Sequence, residues 1–310
     1  MPRLKARPAF VGEAGAPLIS PGVGAIIYLV EKRSEFADEK FIHPEALARE
    51  RQIAYNLPMN DSRPVALVTG SGGTLGSEMC KQFLEDGYDV VVSDLREDAA
   101  NEVAEKLDST RERVLTVAID VGSTQSVDAG IEAVVARFGR LDVLVNNAGN
   151  FKQRWTATCS DEDWRFITNV HLDGAFRCCR AAFPHLKKSP YPTIISIASI
   201  AARIGLPGRL SYSVSKAGLE ALTRTLAVEW APENIRVVAV APGFTKSQNR
   251  VFIDGKEVTH EAFAQAVPMK RMGRPEEQAA VVIFLASRKA SYINGQTIVV
   301  DGGATIDLRI

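Results

Sequence analysis

Residues 65–76 read Val65-Ala66-Leu67-Val68-Thr69-Gly70-Ser71-Gly72-Gly73-Thr74-Leu75-Gly76. An apolar run typical of a buried strand passes through a glycine-rich turn into a helical pattern. Glycines permit a tight turn and close approach of the backbone to a phosphate, and a helix amino terminus presents free N–H groups and a positive dipole end. The stretch therefore predicts a dinucleotide-binding turn, whose candidate contacts are Gly70, Ser71, Gly73, Thr74, Leu75 and Gly76.

Two acidic positions downstream extend this site. Asp94 closes the next apolar run, where a carboxylate can accept hydrogen bonds from the ribose hydroxyls of NAD and repel the 2′-phosphate of NADP. We therefore predict NAD, with Leu95 beside it, whereas Arg96 would soften the preference against NADP. Asp120 and Val121 are predicted to hold the adenine, although capping of a helix by Asp120 is an equal alternative.

Apolar strands alternate with amphipathic helices throughout residues 65–310, which predicts one catalytic domain with a doubly wound, seven-stranded parallel α/β sheet of the Rossmann type. The predicted strands are Val65 to Thr69, Asp89 to Asp94, Val114 to Asp120, Asp142 to Asn146, Thr193 to Ser199, Ile235 to Ala241 and Thr297 to Asp301. Helix starts are predicted at Ser123, at Ser160 or Asp161, and at Pro275.

Residues 1–64 differ in character, because seven prolines punctuate them, and they are predicted to form an N-terminal arm. A free tail would expose apolar side chains such as Ile26, Leu29 and Phe41. We therefore expect the arm to pack on a neighbouring subunit, and a disordered leader is the alternative.

The gross composition excludes several classes of protein. Acidic and basic residues number 37 each, so the chain lacks the basic field of a nucleic-acid binder. The four cysteines have neither metal-ligand spacing nor the density of a disulfide framework, so we predict no metal site and a cytoplasmic location. The apolar run from Val23 to Val30 is too short to span a bilayer, and no membrane association is expected.

Tyr212 and Lys216 stand four residues apart, on one face of a predicted helix. A nearby lysine cation is expected to lower the pKa of the phenol, whose ordinary value is about 10, and so to make it a usable acid or base. Ser199 ends an apolar strand thirteen residues before Tyr212. This combination predicts proton exchange with an alcohol or carbonyl oxygen.

With these residues in place, residues 65–310 resemble the short-chain dehydrogenase/reductase family. The matching motifs are the turn residues Thr69, Gly70 and Gly76, the segment Asn146-Asn147-Ala148-Gly149, Asn169, the set Ser199, Tyr212 and Lys216, Pro242-Gly243, Asn294-Gly295-Gln296 and Asp301-Gly302-Gly303.

The resemblance implies a role for each catalytic candidate. Tyr212 would be the general acid/base, Ser199 would hold the substrate oxygen, and Lys216 would lower the pKa of the tyrosine and bind the nicotinamide ribose. Asn169 would anchor a proton-carrying water chain. The family pattern also implies cofactor contacts at Asn147, Ala148, Gly149, Pro242, Gly243 and Thr245, and a homotetramer or homodimer built on the helices around Asn169 to Leu186 and Tyr212 to Trp230.

Three positions depart from the family pattern. Thr74 replaces a glycine of the dinucleotide turn, where it either weakens cofactor binding or donates its hydroxyl to a phosphate. Val238 replaces an asparagine in the sixth strand, which we interpret as a packing change. Ser247 replaces a threonine after Pro242-Gly243 and retains the hydroxyl.

The expected function is NAD-dependent interconversion of a small secondary alcohol, such as a polyol or sugar, and its ketone. An NADP-linked carbonyl reductase of the 3-oxoacyl carrier-protein reductase type is the main alternative, and a catalytically silent nucleotide-binding protein is another. The segment from Phe244 to Pro268 is expected to form a lid over the substrate, and Arg154 and Trp155 either line the pocket or pack in an exposed loop.

Overall fold

The computed structural model describes residues 63–246, 251–253 and 256–307. The predicted packing of the arm and the role of Ser247 therefore fall on residues outside these ranges.

Strands and helices alternate along the described chain. The strands are β1 Val65–Thr69, β2 Asp89–Asp94, β3 Val114–Ala118, β4 Val143–Asn146, β5 Thr193–Ile197, β6 Arg236–Pro242, β7 Val251–Ile253, β8 Lys256–Val258 and β9 Thr297–Val300. The helices are α1 Thr74–Glu85, α2 Glu97–Leu107, α3 Thr124–Phe138, α4 Asp161–Thr168, α5 Gly174–Leu186, α6 Leu210–Glu229, α7 His260–Ala266 and α8 Pro275–Ala286.

Seven of the strands form one parallel sheet in the order β3-β2-β1-β4-β5-β6-β9. Helices α1, α2 and α8 cover one face, and α3, α5 and α6 cover the other, which accounts for the burial of the central strands β1, β4 and β5. The strand order reverses between β1 and β4, and such a switch point opens a crevice at the carboxyl ends of the strands. The predicted doubly wound α/β fold is confirmed.

Two strands end two residues earlier than predicted. β3 ends at Ala118 and β5 at Ile197, so Asp120 and Ser199 lie in the loops that follow. The Ser199 hydroxyl accepts a hydrogen bond from the Ala201 N–H at 3.1 Å, which starts a short 3-10 turn there instead of continuing the strand. The segment predicted as a lid contains the antiparallel pair β7 and β8 followed by α7, none of which the sequence pattern predicted.

The helix starts follow the predicted signals. The Ser123 hydroxyl accepts from the Ser126 N–H at the start of α3, and Ser160 rather than Asp161 caps α4. Pro275 occupies the first turn of α8, where its missing N–H costs nothing.

A single wide turn joins α4 to α5. Residues Asn169–Asp173 form a π-helical turn, and α5 begins directly after it at Gly174. Such turns insert an extra residue into a helix and occur frequently at functional sites. Asn169 and His171 both lie in this turn, beside the switch-point crevice.

Candidate active site at the switch point

The glycine-rich turn lies between β1 and α1 at the carboxyl edge of the sheet. Gly70 has φ +64°, and a Cβ atom at this position would lie 2.6 Å from the Cα atom of Ala148. Only glycine satisfies both the backbone angle and the close approach of the loop after β4. The turn therefore depends on a residue that the sequence pattern identified.

The amino terminus of α1 fits a dinucleotide pyrophosphate. Gly73 precedes the helix without a side-chain cap, and the first turn carries no acidic residue. The N–H groups of this turn are thus available to an anion, which the helix dipole also favours. Thr74 is exposed at the first helical position.

Ser71 has a different environment from the other turn residues. It is fully buried, and its hydroxyl donates to the carbonyl oxygens of Val68 and Ser93 at 3.0 and 3.1 Å. The hydroxyl also accepts from the Ser93 N–H at 2.7 Å. Its side chain therefore connects β1 to β2 and is committed to the sheet.

Asp94 lies at the end of β2, beside the turn. One carboxylate oxygen accepts from the Gly72 N–H at 3.0 Å, and the other accepts from the Arg96 N–H at 3.1 Å. Leu95 is largely exposed. The carboxylate is thus fixed by two backbone donors at the point where the sequence predicts the adenosine ribose.

The loop after β3 lies on the other side of the crevice. Asp120 accepts from the Gly122 N–H at 2.8 Å, and Val121 is buried. The aspartate therefore closes its own turn, while Ser123 caps the following helix.

The segment after β4 is tied to the end of β1. The Asn147 side chain donates to the carbonyl oxygens of Thr69 and Gly70 at 2.9 and 3.0 Å. The Ala148 N–H donates to the Thr69 hydroxyl at 3.0 Å. These bonds hold together the two sides of the switch point, so the Asn147 amide shapes the crevice.

Ser199, Tyr212 and Lys216 come together where β5 ends and α6 begins. Lys216 is only 4% exposed, and its Nζ donates to the Ile197 carbonyl oxygen at 2.6 Å. The same Nζ lies 5.6 Å from the centroid of the Tyr212 ring. The helical spacing therefore places the ammonium beside the phenol, as predicted.

The expected lowering of the Tyr212 pKa by Lys216 is not found. Burial of the phenol raises its pKa, while the Ser199 hydroxyl and the Arg209 guanidinium act in the opposite direction. Burial also lowers the pKa of Lys216 from 10.5 to about 7, so the amine is only partly charged at neutral pH. Desolvation of both groups thus outweighs their mutual stabilisation in this structure.

Asn169 faces away from this group. Its side-chain oxygen accepts from Arg177 Nη2 at 2.9 Å, and its backbone carbonyl oxygen accepts from Arg177 Nη1 at 3.3 Å. The same guanidinium also donates to the Val121 carbonyl oxygen at 3.2 Å. Asn169 therefore joins the π-helical turn to the loop after β3.

Two residues of the site were not singled out from the sequence. His171 packs edge-on against the Tyr212 ring, with centroids 5.2 Å apart and an interplanar angle of 87°. Arg209 precedes α6 and stacks on Phe151, with its Cζ 4.4 Å from the ring centroid. Only their positions in the sequence could have pointed to these two residues. His171 follows Asn169 by two residues, and Arg209 lies about one helical turn before Tyr212.

The remaining candidates lie around the carboxyl end of β6. The Gly243 N–H donates to the Val300 carbonyl oxygen at 2.9 Å, and the Thr245 hydroxyl donates to the Gly243 carbonyl oxygen at 3.2 Å. Farther along the rim, Arg154 donates to Asp163 at 2.7 Å, and Trp155 is about half exposed. Pro242-Gly243 is thus positioned by β9.

The described residues contain no disulfide and no group of side chains that could hold a metal ion. Within the same ranges, none of the helices combines the length and apolar character needed to cross a membrane.

Comparison with known proteins identifies the family. A family model described as "Enoyl-(Acyl carrier protein) reductase" matches residues 71–305. The 3-oxoacyl-(acyl-carrier-protein) reductase FabG of Thermotoga maritima is 34% identical over 242 residues, covering 78% of this chain and 98% of the relative. Glucose 1-dehydrogenase 2 of Bacillus subtilis is 34% identical over 244 residues, with 78% and 94% covered.

A solved structure gives the same result. The 3-ketoacyl-(acyl-carrier-protein) reductase from Brucella melitensis, complexed with NADH, superposes with a TM-score of 0.72 at 33% identity, covering 79% of this chain and 99% of that one. The family model matches the chain from the glycine-rich turn to just beyond the last strand of the sheet. The chain therefore belongs to the short-chain dehydrogenase/reductase family and is an NAD(P)-dependent oxidoreductase.

Proposed function

We propose that this enzyme reduces the 3-keto group of a 3-oxoacyl thioester to the hydroxyl, with NADH as the preferred reductant. The observation that carries the proposal is the similarity to 3-oxoacyl-(acyl-carrier-protein) reductases, including one solved with NADH, which covers 98% and 99% of those proteins and 78% and 79% of this chain. This assignment replaces the polyol as the leading substrate class, although a polyol remains the second candidate.

The preference for NADH rests on Asp94. Its carboxylate is held by the N–H groups of Gly72 and Arg96 at the end of β2. A fixed negative charge beside the ribose favours hydroxyl donors and repels a 2′-phosphate. The Arg96 guanidinium forms an exposed ion pair with Asp98, with 3.7 Å between Nη1 and the carboxylate oxygen.

The chemistry at the substrate oxygen is assigned to three residues. When bound, the nicotinamide supplies the hydride that reduces the keto carbon. The Tyr212 hydroxyl donates its proton to the keto oxygen, and the Ser199 hydroxyl, which accepts from the Ala201 N–H, donates a hydrogen bond to the same oxygen. Burial raises the pKa of Tyr212, so the phenol carries its proton at neutral pH before the substrate oxygen accepts it.

Lys216 would restore the proton and hold the nicotinamide ribose. Its Nζ is anchored by one hydrogen bond to the Ile197 carbonyl oxygen, so two donor positions are left for other partners. Its pKa of about 7 matches a group that gains and loses a proton at neutral pH. Asn169, through its bonds to Arg177, would support the backbone of the π-helical turn beside this path.

A homodimer or homotetramer is proposed on α4, α5 and α6. Large apolar side chains are exposed on these helices: Phe166 on α4 (49%), Phe176 on α5 (46%) and Val214 on α6 (41%). Apolar groups exposed together on neighbouring helices are typical of a subunit interface.

The second candidate function, oxidation of a sugar or polyol with NAD, is supported by the similarity to glucose 1-dehydrogenase 2. It uses the same residues in reverse, with Tyr212 accepting the alcohol proton. The Asp94 carboxylate favours NAD as it favours NADH, so it supports both candidate functions equally.

Steady-state assays separate the two candidates. Purified enzyme is given acetoacetyl-CoA or an acetoacetyl carrier protein with NADH or NADPH, and in parallel a panel of sugars and polyols with NAD, and the absorbance of the reduced cofactor is followed. We expect the highest kcat/KM for the 3-oxoacyl thioester with NADH. Turnover of sugars or polyols without turnover of the thioester would overturn the proposal, and the Tyr212→Phe variant gives the background rate in both assays.

A further inference from the structure

His171 is a buried ionisable group without an assigned role. It is 4% exposed, lies in the π-helical turn Asn169–Asp173, and contacts the edge of the Tyr212 ring. A Cβ atom at position 149 would lie 2.6 Å from the imidazole Cε1, so Gly149 leaves the space that the ring occupies. The imidazole is thus enclosed between the loop after β4 and the proposed catalytic tyrosine.

One ring nitrogen of His171 is fully engaged. Nε2 lies 2.8 Å from the Asn150 carbonyl oxygen, and the Asn150 N–H points at the same nitrogen from 3.1 Å. Burial, together with the charge of Lys216, lowers the pKa of His171 to about 3, so the ring is neutral and carries one proton. With that proton on Nε2 the ring donates to the Asn150 carbonyl oxygen, and with it on Nδ1 the ring accepts from the Asn150 N–H. In both tautomers Nδ1 has no hydrogen-bond partner among the described residues.

Two buried polar atoms, one from His171 and one from Asn146, belong to the lining of the same small cavity. Nδ1 of His171 and Oδ1 of Asn146 are both buried and have no hydrogen-bond partner among the described residues. The Asn146 amide nitrogen donates to Cys179 Sγ at 3.3 Å and to Ser196 Oγ at 3.5 Å, which orients Oδ1 away from them. Both residues line a cavity that offers about 10 Å³ to the centre of a water-sized sphere.

The size and the polarity of the cavity agree on one occupant. A volume of roughly 10–15 Å³ on this measure is what a single water needs. Two buried polar atoms without partners would each cost free energy, and a molecule that can both donate and accept hydrogen bonds satisfies both in either tautomer of the ring. Water is the smallest such molecule.

We propose that a single buried water bridges His171 Nδ1 and Asn146 Oδ1 by hydrogen bonds, and that the imidazole held in this way is a positioning residue for Tyr212. The positioning role rests on the proposed function of Tyr212 as acid, whereas the water site does not. The bonds at Nε2 and Nδ1 fix the ring from both sides. The edge of the ring then limits where the phenol can lie relative to the substrate oxygen.

The water site is tested by a crystal structure of the wild-type enzyme at a resolution that reveals ordered waters. We expect density within hydrogen-bonding distance of both His171 Nδ1 and Asn146 Oδ1. A well-ordered cavity wall without such density would overturn the water site. This observation requires no turnover, so it is independent of whether the enzyme acts on a 3-oxoacyl thioester.

The positioning role is tested by kinetics of two variants, with His171→Ala removing the ring and His171→Phe restoring a ring edge against Tyr212. We expect His171→Ala to lower kcat by about 10- to 100-fold, as misplacement of a catalytic group does, while the KM for NADH changes by less than about twofold. His171→Phe should recover only part of the lost kcat, because it restores the ring against Tyr212 without the hydrogen bonds that hold the imidazole. A kcat that is unchanged in folded His171→Ala, or equally low in both variants, would overturn the role. Loss of wild-type turnover on every ketone would instead contradict the proposed function.

Discussion

Lys216 Nζ donates a 2.6 Å hydrogen bond to the carbonyl oxygen of Ile197, the last residue of β5. This bond connects α6 to the centre of the sheet through a side chain that is almost entirely buried. An amine in such a place is costly to charge, because little water solvates it. Its protonation is therefore coupled to the stability of the fold.

The first prediction follows from that coupling. The pKa of Lys216 is lowered to about 7 in the folded protein, whereas the unfolded chain keeps the ordinary value of about 10.4. Between these values the unfolded state binds more protons, so this residue makes the free energy of unfolding rise with pH. We expect denaturant titrations of the cofactor-free enzyme at about pH 7 and pH 9 to show this rise in wild type and a smaller one in Lys216→Met. Replacing the exposed Lys106 by Met is the control, and an unchanged pH dependence in Lys216→Met would contradict the prediction.

Replacement of Tyr212 by phenylalanine removes the proposed acid and keeps the ring that packs against His171. We expect kcat to fall by about 10²- to 10⁴-fold, the usual contribution of a general acid. The Kd for NADH, measured by fluorescence titration, should change by less than about threefold. Residual activity within about tenfold of wild type would show that another group supplies the proton.

Asp94→Asn keeps the shape of the side chain and removes its charge. We expect the ratio of kcat/KM for NADH to that for NADPH to fall by about 10- to 100-fold, or about 1.4 to 2.7 kcal/mol. Glu102→Gln is the matched control, because Glu102 is an exposed carboxylate in α2. A wild-type enzyme that prefers NADPH would refute the assignment of NADH.

Thr74→Gly tests whether the hydroxyl at the start of α1 compensates for the missing glycine. If it bonds a phosphate, the variant should bind NADH about 5- to 10-fold more weakly, which corresponds to one hydrogen bond of roughly 1 to 1.5 kcal/mol. Thr74→Ser should retain wild-type affinity, because it retains the hydroxyl. Tighter binding by Thr74→Gly in isothermal titration calorimetry would mean that the threonine hinders the cofactor.

The proposed subunit interface is tested by Phe176→Glu, which puts a charge among the exposed apolar side chains of α4, α5 and α6. We expect light scattering after size-exclusion chromatography to show a smaller assembly than wild type. Lys106→Glu on the exposed surface of α2 should leave the mass unchanged. An unchanged mass for Phe176→Glu would locate the interface elsewhere.

Much of the fold could be predicted because its signals are local. The apolar runs, the glycine turn and the caps at Ser123, Ser160 and Pro275 are each contained in a few residues, and the structure has them. The strand ends at Ala118 and Ile197 could not be predicted, because the apolar pattern continues after the ladder has ended. The pair β7 and β8 lacked a strong pattern of its own.

The site was predictable to the extent that it depends on spacing along one helix or one turn. Tyr212 and Lys216 are neighbours for that reason. His171 was missed because its partner Tyr212 is distant in sequence and meets it only through packing of α6 on the π-helical turn. The pKa of Tyr212 was predicted in the wrong direction, because charge proximity is visible in a sequence and the depth of burial is not.

The π-helical turn Asn169–Asp173 also constrains how this chain can change in length. Each residue of a regular helix advances the direction of the side chains by about 100°. The wide turn holds about one residue more than a regular turn, so removal of one residue would convert it to ordinary helix and leave the directions of α4 and α5 nearly unchanged. Such a deletion would act on the side chains of the turn itself, those of Asn169 and His171, far more than on the packing of the two helices.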